Sequence, residues 1–159
     1  MAITSDIVAT WRAPRAMIRQ MLAAGADEGR AIAVLMGALA LVFVAQTPRL
    51  AREAHLDPSV PLDARMGVTL FSLVFMAPLL FYGVAAISHL AARAIGGKGG
   101  WFGARLALFW ALLCTVPLML LQGLVAGMIG PGPAATAVGL AVALAFVWIW
   151  INMLIEVER

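Results

Sequence analysis

The sequence is poor in charged residues and has a single cysteine, a single lysine and a single tyrosine. Asp, Glu, Lys and Arg together make up 12% of the 159 residues, against about 25% in soluble domains. Hydrophobic residues make up 64%, and the mean hydropathy is +0.99. A water-soluble protein of this composition would have too few polar residues to cover its surface. The composition therefore excludes an ordinary soluble domain and indicates a membrane protein.

The residue types that build most catalytic and metal centres are also scarce. Cys114 is the only cysteine, which excludes an intrachain disulfide and a cysteine-based metal site. No acidic residue occurs between Asp63 and Glu156, so most of the apolar sequence offers no carboxylate for a cation or a proton. The glycine run Gly96–Gly100 lacks the preceding strand that a phosphate loop requires. These features predict a protein that is not an enzyme and has no cofactor or metal.

Four long stretches of the sequence carry no charged residue. Crossing the hydrocarbon core of a bilayer takes roughly 20 apolar residues as a helix, and a helix satisfies its own backbone hydrogen bonds in lipid. The runs lack the alternation typical of transmembrane β-strands. We therefore predict one all-α membrane domain over residues 1–159, a polytopic transmembrane helical bundle with spans at about 28–48, 66–93, 103–129 and 134–155.

Proline and glycine separate these spans. Thr47-Pro48 is expected to close the first span, because proline cannot donate a helix hydrogen bond. Gly96–Gly100 is expected to form a flexible break between the second and third spans. Gly130–Pro133 is expected to form a short turn between the third and fourth spans.

An amphipathic segment, residues 12–25, precedes the first span. Pro14 suits the first turn of a helix, and Gly25 can end it. As a helix, this segment places Ile18, Met21 and Leu22 on one side. The arginines are spaced three and four residues apart and lie on another side, namely Arg12, Arg15 and Arg19. We predict an interfacial helix whose arginines face anionic lipid headgroups. The alternative is a solvated leader that only orients the first span.

The basic residues are distributed unequally between the two sides of the predicted bundle. Four spans place both termini on one side, with eight of the 11 basic residues: Arg12, Arg15, Arg19, Arg30, Arg93, Lys98, Arg105 and Arg159. The positive-inside rule then predicts a multi-pass protein of the bacterial inner membrane with both termini cytoplasmic. The same bias accounts for the net charge of +3 without a nucleic-acid partner. The candidate lipid- or partner-facing residues are Arg12, Arg15, Arg19, Arg93, Lys98 and Arg105.

Several residues inside the spans are candidates for helix packing. Gly123 and Gly127 form a small-xxx-small pair that lets helices approach closely, within the bundle or in a dimer. Pro78 and Pro117 are expected at similar depth, where they form matched bends that pack together, with a hinge or a small cavity as the alternative. Gln122 is expected to form an interhelical hydrogen bond, with contact to a substrate as the alternative. His89 is expected to act as an interfacial hydrogen-bonding group rather than as a switch or ligand.

One arrangement of motifs resembles the Yip family, membrane proteins named for their interaction with Ypt/Rab GTPases. A leader with Trp11 and Pro14 precedes the first span, and the second span ends in the segment Ala94–Phe102, with the sequence AIGGKGGWF. The next span carries the pair Val116-Pro117, as bacterial members often do. The family usually has five spans, whereas four are visible here. Either the last span is absent, or the second or third run hides a break.

The resemblance and the residues together favour a non-catalytic membrane scaffold or adaptor, whose basic leader and Gly96–Arg105 loop contact lipid headgroups or a partner. An accessory subunit of a larger membrane complex is a second hypothesis, and a small-solute transporter or channel built around Pro78, Pro117 and Gln122 is a third. The expected partners are the lipid bilayer and other membrane proteins or further copies of the chain.

Overall fold

The computed structural model describes residues 2–159, and all of its regular elements are helical. Two short helices come first, followed by four long segments. The elements are α1 (Ile3–Arg12), α2 (Pro14–Ala23), α3 (Glu28–Leu56), α4 (Leu62–Phe71), a π-helical segment (Ser72–Met76), α5 (Ala77–Ala94), α6 (Trp101–Met128) and α7 (Pro133–Glu158).

Four helical segments are long and apolar enough to cross a membrane: Glu28–Leu56, Leu62–Ala94, Trp101–Met128 and Pro133–Glu158. The predicted all-α, multi-pass bundle is therefore confirmed. The second of these segments joins α4, the π-helical segment and α5 without a break that would divide it into two spans.

Contacts at the two ends of the bundle define the direction of each helix. Arg105 at the start of α6 pairs with Glu28 at the start of α3. At the other end, Arg52 of α3 donates a hydrogen bond to the Gly127 carbonyl of α6. The helices α3 and α6 are thus parallel, and α5 and α7 run in the opposite direction. We call the end with Glu28 and Arg105 the proximal end, and the opposite end the distal end.

The first span continues beyond Pro48, so the prediction that Thr47-Pro48 closes it is wrong. Proline has no N–H to donate to the carbonyl four residues earlier, which here belongs to Val44. The Thr47 hydroxyl donates to that carbonyl instead, over 2.7 Å. An ion pair between Arg49 and Glu53, at 2.7 Å, follows one turn later. The lost backbone hydrogen bond is therefore replaced locally, and α3 extends to Leu56.

The second span widens where it meets Pro78. The π-helical segment Ser72–Met76 contains Val74, whose carbonyl would normally accept the hydrogen bond that Pro78 cannot donate. A π-helical segment changes the spacing of the backbone hydrogen bonds and so accommodates the proline ring without ending the helix.

The core of the bundle is centred on α6. Every residue from Leu106 to Val116 is buried, which means that this part of α6 is surrounded on all sides. The second span is the opposite case, since only 6% of its most apolar window is buried inside the bundle. Bilayer lipid can cover its apolar side chains, so an exposed apolar face is expected on a transmembrane helix.

Gly123 and Gly127 lie where α6 crosses α3. A Cβ atom at Gly123 would overlap the backbone carbonyl of Ala45, and one at Gly127 would overlap Pro48. The small-xxx-small pair therefore faces a helix of the same bundle. Without a hydrophobic drive for helix association in lipid, such close backbone contact is a main source of stability.

We expect Gly123→Ala to destabilise the bundle by about 1–3 kcal/mol, because the added methyl group forces α3 and α6 apart. Gly83→Ala is the matched control, since a Cβ there meets nothing within 4 Å and alanine favours the helix by about 0.5–1 kcal/mol. Thermal unfolding in detergent measures both effects. Equal stability of the two variants would show that the α3–α6 contact is not close.

Candidate functional site

The N-terminal segment consists of two helices, not the single helix predicted over 12–25. The break falls at Ala13, and Pro14 is the first residue of α2. Proline is favoured at this position because it has no N–H to lose. Gly25 follows the end of α2 with a φ of 93°, in agreement with its predicted role as a helix terminator.

The two N-terminal helices are joined to the middle of α6 by hydrogen bonds. The indole N–H of Trp11 donates to the backbone carbonyl of Cys114 at 3.1 Å. In return, the indole N–H of Trp110 donates to the hydroxyl of Thr10 at 2.8 Å, and Thr10 is fully buried. Cys114 lies near the midpoint of α6. The N-terminal segment therefore packs against the middle of a span.

Two of the predicted lipid-facing arginines contact α7. Arg15 Nε donates to Asn152 Oδ1 at 3.1 Å, and Arg19 Nε lies 3.4 Å from Glu156 Oε1. The Arg19 side chain remains 66% exposed in spite of this pair. Both contacts hold α2 along the proximal part of α7.

The other candidate basic residues divide into two groups. Arg105 pairs with Glu28 and lies 5.8 Å from the centre of the Tyr82 ring, an arrangement typical of a cation–π contact. Arg12, Arg93 and Lys98 are exposed, and they form no ion pair with another residue in the described part of the chain. Arg93 and Lys98 belong to α5 and to the glycine-rich loop at the proximal end, whereas Arg12 follows Trp11, whose indole bonds to the middle of α6.

The loop from Gly96 to Gly100 packs against the end of α7. The N–H of Lys98 donates to the Glu158 backbone carbonyl at 2.9 Å, and the N–H of Gly99 donates to the Glu158 carboxylate at 3.0 Å. A Cβ atom at Gly97 would lie 2.6 Å from Glu158 Oε2, and one at Gly99 would lie 2.5 Å from the Val157 carbonyl oxygen. The glycines, predicted to form a flexible break, thus permit a close contact that satisfies the C-terminus of α7.

The same carboxylate contacts His89 of α5. His89 is buried, and its Nδ1 lies 2.6 Å from Glu158 Oε1. The Trp101 ring packs against the imidazole with the ring centres 4.5 Å apart. His89 Nε2 is buried and has no partner among residues 2–159. Glu158 therefore joins α5, α7 and the glycine loop, a role that the sequence did not reveal because the pair is 69 residues apart.

The remaining candidates lie in the distal half of the bundle. Pro117 is exposed and Pro78 is half-buried. Gln122 packs on Gly139 of α7, where a Cβ would lie 2.8 Å from the Gln122 amide nitrogen. A cavity of about 150 Å³ adjoins Gln122 and is also lined by Gln46 and Arg49.

Residues 2–159 contain no group of three or more His, Cys, Asp or Glu side chains placed to hold a metal ion. Comparison of the chain with protein-family models, with curated proteins and with solved structures found no match. The candidate site is therefore the proximal end, where α2, the glycine loop and the end of α7 are joined by polar contacts.

We expect Glu158→Ala to release the glycine loop, because it removes the acceptor for Gly99 N–H and leaves His89 buried without a partner. The loss is about 1–3 kcal/mol, and hydrogen exchange of the amides at 96–100 should accelerate. Arg159→Ala is the control, since Arg159 is exposed and adjacent. Unchanged exchange in the Glu158 variant would contradict the proposed contact.

Proposed function

We propose that the protein is a non-catalytic membrane scaffold of the Yip-like type, whose proximal end presents a fixed basic surface to anionic lipid headgroups. We also propose that this end faces the cytoplasm of a bacterial inner membrane, because the sequence segments on its side of the spans carry eight of the 11 basic residues. The function would be to organise the membrane, or to recruit a partner that carries a similar anionic surface.

The observation that carries the proposal is the placement of two exposed cations, Arg93 and Lys98, on an internally braced support at the proximal end. Arg93 lies near the end of α5, and Lys98 lies in the glycine loop. Glu158 joins the two segments through its contacts with His89 of α5 and with the Gly99 N–H of the loop. Segments that are already held in place lose little conformational entropy on binding. Less of the attraction between their side chains and an anionic surface is therefore offset by the cost of ordering the chain.

The proposal is tested with the protein embedded in nanodiscs of neutral lipid. We expect these discs to bind vesicles rich in phosphatidylglycerol, and the double variant Arg93→Gln, Lys98→Gln to bind them about 30-fold more weakly. Each basic residue near an anionic surface contributes about 1 kcal/mol. Added salt should weaken the wild-type interaction because it screens exposed charges. Co-flotation with the vesicles measures both effects.

Arg49→Gln is the control, because Arg49 is an exposed arginine in the distal part of α3, opposite the proposed surface. We expect this variant to bind as the wild type does. If the double variant also bound phosphatidylglycerol vesicles as the wild type does, the basic surface would have no role in membrane binding.

The second span favours a second candidate function, that of a subunit in a larger membrane complex or a homo-oligomer. Its apolar side chains make few contacts within the bundle, and Leu79 and Ile87 are 70% and 69% exposed. This face could pack against a helix of another chain, where van der Waals contact would replace contact with lipid.

Native mass spectrometry in mild detergent tests this second function. We expect a stoichiometric companion or a second copy to remain bound, and the double variant Leu79→Ala, Ile87→Ala to release it. The control is Leu121→Ala with Leu140→Ala, which truncates two exposed leucines of α6 and α7 that are 48% and 59% exposed. A wild-type protein that is monomeric and without a companion would exclude this function.

A further inference from the structure

A long apolar groove lies between the N-terminal helices and the spans α3 and α6. Its volume is about 690 Å³, within the range of about 300–1,000 Å³ typical of small-molecule sites. The walls are mostly aliphatic and aromatic, and include Met17 and Met21 of α2, Val34 and Leu41 of α3, and Trp110 and Leu113 of α6. We call this cavity the leader groove.

The leader groove has the length of one leaflet of a bilayer. It follows α3 from Arg30, in the first turn, to Leu41, which is about 16 Å at 1.5 Å per residue. Half of a typical hydrocarbon core is about 15 Å. Because α3 crosses the membrane, the groove runs from the proximal surface towards the bilayer centre. A single extended acyl chain fits this shape and chemistry.

Two residues of opposite charge line the same groove. Arg30 uses one terminal nitrogen to donate to the Gly25 carbonyl at 2.7 Å and to the Met21 carbonyl at 3.4 Å. Its Nε is buried without a hydrogen-bond partner in the described part of the chain. Asp6 is half-buried and forms no ion pair with any residue from 2 to 159. The groove thus offers one cation and one anion that do not neutralise each other.

We propose that the leader groove binds one phospholipid with a zwitterionic amine headgroup, of the phosphatidylethanolamine class. One acyl chain lies along the apolar wall between α2 and α3. The phosphate accepts hydrogen bonds from Arg30, whose guanidinium suits phosphate oxygens, and the ammonium group pairs with Asp6. A headgroup that carries only negative charge would satisfy Arg30 but would face the Asp6 carboxylate, so the charges favour the zwitterionic lipid.

The preference is tested with delipidated protein in detergent, to which phosphatidylethanolamine or phosphatidylglycerol with the same acyl chains is added. Native mass spectrometry measures the bound fraction. We expect one phosphatidylethanolamine per chain, bound more tightly than phosphatidylglycerol. Arg30→Gln should weaken binding of both lipids by about tenfold, because a hydrogen bond to a charged group is lost. Arg49→Gln, an exposed arginine in the distal part of α3 and outside the groove, is the control and should change neither.

Asp6→Asn should act on the preference rather than on binding in general. It removes the partner of the ammonium group and the repulsion of an anionic headgroup, so the two lipids should bind with nearly equal affinity. A wild-type protein that bound phosphatidylglycerol as tightly as phosphatidylethanolamine, or more tightly, would overturn the proposal.

A second variant tests the apolar part without touching the headgroup contacts or the cap that Arg30 provides for α2. Gly37 lines the groove, and a Cβ there meets nothing within 4 Å. Gly37→Phe should fill the space and reduce binding of both lipids. Gly83→Phe is the control, because Gly83 is also open to a Cβ but lies outside the groove. Unchanged lipid retention in the Gly37 variant would show that the acyl chain does not occupy the leader groove.

Discussion

The burial of α6 from Leu106 to Val116 is the contact on which the rest of the bundle depends. A helix enclosed by protein inside a bilayer must have its polar groups satisfied by protein, since neither water nor lipid tails can do so. Thr115 bonds to the Ala111 carbonyl of its own helix, at 2.7 Å. The N-terminal helices supply the other partners, because Trp11 reaches the Cys114 carbonyl and Thr10 accepts from Trp110. The leader is therefore a structural part of the membrane domain.

Close approach explains the glycines at both ends of this bundle better than flexibility does. Gly123 and Gly127 let α6 contact the backbone of α3, and Gly97 and Gly99 let the loop contact the end of α7. In lipid, such contacts matter more than in water, because burial of apolar side chains gives little advantage over contact with acyl chains. The loop contact also supplies N–H donors to the last turn of α7, whose carbonyls have no partner within the helix.

The proximal end combines paired and exposed charges. Arg15, Arg19 and Arg105 contact neighbouring helices, whereas Arg93 and Lys98 remain exposed. The first group positions the helices, and the second group is available to an anionic surface. The proposed scaffold has a physical basis in these two groups of basic residues: the paired residues hold the helices together, and the exposed residues carry the charge that an anionic surface would meet. The leader groove adds a place where a lipid can bind beside that surface.

The sequence by itself determined the class of protein and its four spans, because the length of an uncharged run sets whether a helix can cross a bilayer. It also indicated that Pro14 begins a helix and that Gly123 and Gly127 allow close packing. Whether a helix ends at a proline depended on local hydrogen-bond partners that no sequence pattern predicts. The Thr47 hydroxyl is such a partner, and α3 continues past Pro48. Only the tertiary structure decided that Glu158 meets His89 and the glycine loop, and that Asp6 and Arg30 line one groove. Those pairings join residues far apart in the chain, and they follow from how the helices pack rather than from any local spacing.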